Sequence, residues 1–140
     1  MNYPIYLDYN ATTPCAPEVI EAMIPWFGEH FGNAASKSHA YGWVSENAVE
    51  EAREQIANLI GAQAKEIIFT SGATEAINLA IKGTFDLYKG EKQHYITCQT
   101  EHKAVLDSIK AIEENGAEVT YLPVDNKGDI DLNLLKSSIL

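Results

Sequence analysis

The 140-residue sequence predicts an α/β fold, a mainly parallel sheet flanked by helices, and two observations carry that prediction. Over residues 66–83 a short apolar, β-favouring run (Ile67, Ile68, Phe69) passes through the small-residue turn Ser71-Gly72-Ala73-Thr74 straight into a helical repeat. The alternation then continues, with β-favouring runs at 94–98 and 118–124 and helix-spaced apolar residues after each. In such sheets ligands gather at the carboxyl ends of the strands.

Each element has its own local cause. Residues 1–17 read as an irregular arm with a brief extended piece at Ile5, Tyr6 and Leu7, because Pro4, Pro14 and Pro17 discourage a helix. Asp8, Asn10, Thr12 and Thr13 are turn formers there. Pro17 suits a first helical turn, and Val19, Ile20, Met23, Ile24, Phe27 and Phe31 form a stripe that breaks up near Gly28 and Gly32. After a polar loop, a long helix is predicted from Trp43 to Ile60. Val49, Ala52, Ile56, Leu59 and Ile60 lie on one face, Glu46, Glu50, Glu51, Arg53 and Glu54 mostly outward, and Gly61 acts as C-cap. A first strand is predicted over 66–70, followed by a helix whose inner face is Ile77, Ala80, Ile81, Thr84, Phe85 and Tyr88. The second strand, 94–98, leads through Gln99-Thr-Glu-His102 into a helix with Val105, Leu106, Ile109 and Ile112 inward. The third, 118–124, ends in the turn 125–128, and Asp131 caps a final helix that shows no C-cap signal.

The turn at 71–74 is the candidate site. A strand-to-helix turn of small residues aims unpaired backbone N–H groups at one point, which suits an anion, above all a phosphate. It also suits a plain βα connection. Neither G-x-G-x-x-G nor G-x-x-x-x-G-K-[ST] occurs, because Gly72 has no second glycine until Gly83, so dinucleotide and nucleoside triphosphate sites are poorly supported. A single phosphate on the N–H groups of Gly72, Ala73 and Thr74 with the Thr74 hydroxyl remains open. His102, one βα unit later, either lines the same crevice or bonds its own loop at a helix start.

Composition narrows the classes. With 46% hydrophobic residues the chain is ordinary globular material. A net charge of −10 and a single arginine, Arg53, argue against nucleic acid or an anionic membrane as partner. No stretch reaches membrane-spanning length and the start carries no positively charged leader, so the expectation is a cytoplasmic protein. Cys15 and Cys98 are too few for a disulfide framework, and His30, His39, His94 and His102 lack ligand spacing, so no metal site is expected.

Five motifs in order change the weight of these readings: Tyr6-Leu-Asp-Tyr-Asn-Ala-Thr-Thr-Pro14, His30-Phe-Gly-Asn33, Ser38-His39, Phe69-Thr-Ser-Gly-Ala-Thr-Glu75 and Thr100-Glu-His-Lys-Ala-Val-Leu106. From about Pro4 onward the chain resembles the amino-terminal part of a NifS/IscS-like cysteine desulfurase of the class V aminotransferase group, with Ala34-Ala35 where many relatives have Pro-Ser. The resemblance implies an incomplete pyridoxal-phosphate fold type I large domain over 17–140, preceded by an arm over 1–16. It implies pyridoxal 5'-phosphate as cofactor, L-cysteine as substrate, and L-alanine and an enzyme persulfide as products. The sulfur would serve iron–sulfur cluster and thio-cofactor synthesis, through scaffold or other acceptor proteins, from a homodimer.

Carried over residue by residue, the resemblance makes Gly72, Ala73 and Thr74 the phosphate turn and His102 the ring-stacking, acid–base residue. Asn10, Ala11, Thr12 and Asn33 fall near the substrate. The family's Schiff-base lysine, pyridinium-pairing aspartate and sulfur-accepting cysteine have no counterpart here; Lys82, Lys103, Cys15 and Cys98 do not match their motifs. The 140 residues alone are therefore expected to bind the cofactor weakly, to show no turnover, and to need further polypeptide for the native arrangement. A selenocysteine lyase or another class V enzyme, and a non-catalytic paralogue that binds a desulfurase or scaffold, are the alternatives; the Glu-His-Lys wording favours the NifS/IscS branch.

Overall fold

A computed structural model describes residues 4–139, and the chain divides after Ile68 into two compact units. In the first unit, helix α1 (Pro17–Met23) begins with the proline at its amino end and tightens into a 3-10 turn, Ile24–Phe27. Pro25 has no N–H to continue the α ladder, and its carbonyl instead receives Gly28 N–H at 3.3 Å and His30 N–H at 2.9 Å. Residues 5–7 form no strand and Ile5 is 88% exposed.

Helix α2 (Ala40–Ile60) starts three residues earlier than expected, because His39 caps it by accepting Gly42 N–H on Nδ1 at 3.2 Å. Its entry is tight. A Cβ on Gly42 would stand 1.9 Å from the Ser36 carbonyl oxygen, and one on Gly32 would stand 2.0 Å from that of Tyr41, so both positions require glycine. Gly61 ends the helix at φ 70°, as the C-cap reading requires.

Two expectations about this unit need correction. Arg53 does not face outward: only 22% of its side chain is exposed, and it donates to the Ile67 carbonyl and, at 3.4 Å, to Glu50 Oε1. That bond also bears on the strand expected over 66–70. Ala64–Glu66 is a 3-10 turn closed by Gln63 and Glu66, and residues 67–70 form no strand, the Ile67 carbonyl going to a guanidinium rather than to a neighbouring strand. On α2, Val49 and Ala52 are half-buried as predicted. Ile56, Leu59 and Ile60 stay exposed, Leu59 at 85%; the buried residues are Gly42, Ser45 and Ala57.

The second unit is the α/β part. Helix α3 (Ala73–Leu87) precedes strand β1 (His94–Cys98), helix α4 (Lys103–Glu113) crosses over to β2 (Glu118–Leu122), and a short α5 (Leu132–Ser137) follows. The strands are parallel, in register from His94 opposite Glu118 to Cys98 opposite Leu122. β2 stops before Pro123, which has no N–H to donate, and Val124 returns to bridge Ile130. Asp131 caps α5 by accepting Asn133 N–H at 2.8 Å.

Ile109, Ile112 and Ala117 form the buried centre, with Ile81 and Phe85 of α3, Val105 of α4 and Tyr95, Val119 and Tyr121 of the sheet packed around them. The inner face predicted for α4 is therefore the one observed. On α3, Ile77, Ile81 and Phe85 turn inward, whereas Ala80, Thr84 and Tyr88 do not. Gln93 fastens the far end of α3 by donating to the Phe85 and Tyr88 carbonyls at 2.9 and 3.0 Å, while Tyr95 donates to its side-chain oxygen at 2.7 Å.

Candidate anion-binding site

The first turn of α3 is an open donor set. Gly72 is its N-cap, extended at φ 159° and ψ −178°, and no side chain caps the helix. The first backbone bond of the helix runs from Ala76 N–H to the Gly72 carbonyl at 3.1 Å. The N–H groups of Ala73, Thr74 and Glu75 thus have no acceptor among the described residues, and the Thr74 hydroxyl has none either. Residues 71–76 are all exposed. Such a cluster, at the positive end of a fifteen-residue helix, matches the charge and geometry of a phosphate group.

The turn is held from behind. Glu75 Oε2 accepts both Ser71 N–H and Ser71 Oγ–H at 2.6 Å, and Thr70 Oγ1 donates to the Gly72 carbonyl at 3.1 Å. The Ser71 hydroxyl first, and then the Ser71 N–H, hold the Glu75 carboxyl below its ordinary range. Sequence reasoning gave Ser71 and Glu75 no role, although their four-residue spacing across a helix start is a readable signal.

His102 is the N-cap of α4, and its Nδ1 accepts Ala104 N–H at 3.1 Å. In the neutral ring the proton is then on Nε2, and that nitrogen of the exposed residue has no hydrogen-bond partner among the described residues. The loop-bonding reading of this histidine is correct as geometry, and it leaves the ring available. A cavity of about 580 Å³ fixes which end of the unit holds both features. Lys82, Phe85 and Asp86 in the carboxyl half of α3 with Lys89 just after it, and Ala111 and Ile112 near the carboxyl end of α4 with Asn115 and Gly116 just after it, line it together with Gln93, just before β1. The two helices therefore bring their carboxyl ends together where the strands begin. Their amino ends, Gly72 to Thr74 and His102, lie at the opposite end, where the strands finish.

The other candidates are placed in the first unit. Asn10 and Ala11 lie in an exposed turn closed by Ala11 N–H to the Asp8 carbonyl at 3.1 Å, with Thr12 just beyond it. Asn33 Oδ1 accepts Ala35 N–H at 2.9 Å, which engages it in its own loop. Cys98 ends β1 with Sγ 3.5 Å from Glu101 Oε1, Cys15 is exposed in the arm, and Lys103 pairs with Asp107 at 2.6 Å in solvent. Among the described residues no three His, Cys, Asp or Glu side chains converge on a metal position. No described helix is long and apolar enough to cross a membrane.

An α/β unit with two helix amino ends at the carboxyl ends of its strands has the layout in which such folds bind ligands. The aminotransferase class-V family matches residues 5–140, and the chain belongs to it. It is similar to the cysteine desulfurase IscS of Rickettsia bellii (strain OSU 85-389), 60% identical over 97% of this chain and 33% of the relative. It is also similar to that of Anaeromyxobacter sp. (strain Fw109-5), 57% identical over 99% and 34%. Among solved structures, a NifS-like protein aligns with a TM-score of 0.89 at 38% identity, covering 96% of this chain and 37% of its own. The chain spans about a third of the length of the curated relatives it matches.

Proposed function

We propose that this chain is the amino-terminal part of a pyridoxal-phosphate-dependent cysteine desulfurase, which takes sulfur from L-cysteine and leaves L-alanine and an enzyme persulfide. The observation that carries the reading is the open set of N–H donors at Ala73 and Thr74, at the same end of its unit as the free ring of His102. In this reading Gly72, Ala73 and Thr74 hold the cofactor's phosphate, with Thr74 Oγ as a further donor. His102 lies over the cofactor's ring and holds or delivers a proton at Nε2. Pyridoxal phosphate, when bound, supplies an electron sink for bond breaking at the substrate. Asn10, Ala11, Thr12 and Asn33 belong near the substrate, the arm over 1–16 precedes a large domain that begins at 17, and the working form is a cytoplasmic homodimer that passes sulfur to scaffold or other acceptor proteins.

The magnitudes are consistent with a shared site. A helix amino end offers an anion about 0.3–1 kcal/mol, up to ~2 where sheltered, and a charge-assisted hydrogen bond about 1.5–3. Micromolar affinity needs roughly 8 kcal/mol. The turn thus orients the cofactor, and groups elsewhere in the polypeptide supply the remainder. The test is Thr74→Val, which removes one hydroxyl at constant shape, in the natural polypeptide that carries this sequence. Its dissociation constant for pyridoxal 5'-phosphate should rise about tenfold, the low end because Thr74 is exposed, with that for pyridoxal unchanged. Equal changes for both ligands would remove the turn from the phosphate site.

A further inference from the structure

Glu75 occupies the third position of α3, one turn from the proposed phosphate, where a carboxylate repels a bound anion and can itself bond the free N–H groups of its own first turn. It does neither. Its Oε2 is turned back beyond the N-cap, taking both the N–H and the hydroxyl of Ser71 at 2.6 Å. These bonds fix Ser71 relative to the first turn, while Thr70 Oγ1 at the Gly72 carbonyl and Asn78 Nδ2 at the Thr74 carbonyl, 3.1 and 2.8 Å, fix the carbonyls on either side. Among the described residues, each polar side chain that bonds the turn holds it from outside the donor set.

We infer that Glu75 is a positioning residue for the phosphate turn, a latch that fixes the Ser71 end and keeps the N–H groups of Ala73 and Thr74 open to the ligand. The inference rests on the reading under Proposed function and adds to it a residue that does not touch the cofactor. A latch and a plain first-turn acid differ in what they need. The macrodipole responds to charge, so Glu75→Gln and Glu75→Ala would then behave alike. The latch needs one acceptor oxygen, because Oε2 alone takes both bonds, and the glutamine amide oxygen can replace it.

The experiment uses the natural polypeptide that carries this sequence, with dissociation constants for pyridoxal 5'-phosphate and for pyridoxal, and the ³¹P chemical shift of the bound phosphate. Glu75→Ala should weaken pyridoxal 5'-phosphate about three- to tenfold and move the ³¹P signal, leaving pyridoxal within about twofold. Glu75→Gln should keep the parent shift and an affinity at or above the parent's, since the repelling charge is gone. Ser71→Ala, which removes one of the two bonds, should weaken the phosphate-bearing ligand less than Glu75→Ala. The double variant should be no worse than Glu75→Ala alone. Should Glu75→Ala fail to fold, Ser71→Ala against the parent decides. The latch is overturned if Glu75→Ala and Glu75→Gln change binding equally, or if neither Glu75→Ala nor Ser71→Ala changes it, in a parent that prefers pyridoxal 5'-phosphate over pyridoxal. A parent without that preference refutes the phosphate turn instead.

Discussion

Ile112 is the side chain on which the placement of both helix amino ends of the proposed site depends, and replacing it with alanine tests that dependence. It is 2% exposed, belongs to the cluster with Ile109 and Ala117, and lines the cavity at the carboxyl end of α4 beside Phe85 of α3. Burial this complete is reached within one unit, so further polypeptide can only add to it. Truncating a buried isoleucine to alanine costs about 2–5 kcal/mol, the lost transfer energy plus the cavity left behind. At about 1.4 kcal/mol per tenfold, local opening of α3 and α4 becomes roughly 30 to 4,000 times more frequent. The assay is native-state amide hydrogen exchange, followed by mass spectrometry on peptides from α3 and α4 in the natural polypeptide. Ile109→Val, the internal standard, removes one methyl for about 0.5–1.5 kcal/mol, roughly 2- to 12-fold. Two results would refute the argument: a smaller effect from Ile112→Ala than from Ile109→Val, or loss of protection in α4 with α3 untouched. The second would mean that α3 is held by something other than this core.

Two further expectations follow from the caps. His102→Asn keeps an N-cap acceptor while removing the ring, so helix protection should stay at the parent level and alanine release from cysteine should fall. His102→Ala should lose both, the cap being worth about 1 kcal/mol. The acid response of the turn has a definite sign: the Glu75 carboxyl is depressed below 4.5, first by the Ser71 hydroxyl and then by the Ser71 N–H. Its stabilisation is therefore complete above that value and lost as pH falls through the folded-state value. Protection at Ser71 should be flat from pH 7 to about 5 after correction for intrinsic exchange, and should decline below 4.5. Glu75→Gln should remove that decline. Carboxyl ¹³C titration of Asp125, depressed by the Asp129 and then the Lys127 N–H groups, should remain unchanged in the variant.

Most of the second unit was legible in the sequence because its signals are local and agree with its packing. The run His94–Cys98 is the strand predicted, and Val105, Leu106, Ile109 and Ile112 face inward at helical spacing, as half-buried or buried residues. Asp131 and Gly61 act as the caps their side chains, or the lack of one, suggest. The failures have a different origin. Ile67, Ile68 and Phe69 carry strand propensity, but a strand exists only through a partner, and the Ile67 carbonyl is bonded to Arg53 instead. Helical periodicity likewise placed Ile56, Leu59 and Ile60 on an inner face. Periodicity identifies the face and says nothing of what covers it, and this face is open in its unit.

The candidate site was readable for a similar reason, and incompletely for a similar reason. Small residues at 71–74 announce a turn with free donors, and the structure leaves those donors free. The identity of the acceptor is not written in the turn, since a bare helix amino end attracts any anion equally; it came from motif resemblance, and family membership rests on the match over residues 5–140. His102 shows why a single-role reading of a residue can mislead. Sequence reasoning opposed a cap to a functional ring, yet the cap uses only Nδ1. The bond that fixes the start of α4 also selects the tautomer of the neutral imidazole, so in the proposed site the structural role prepares the chemical one. In the proposed site the same holds for Glu75, whose hydrogen bonds to Ser71 both brace the start of a helix and turn its Oε2 back beyond the N-cap, away from the phosphate position.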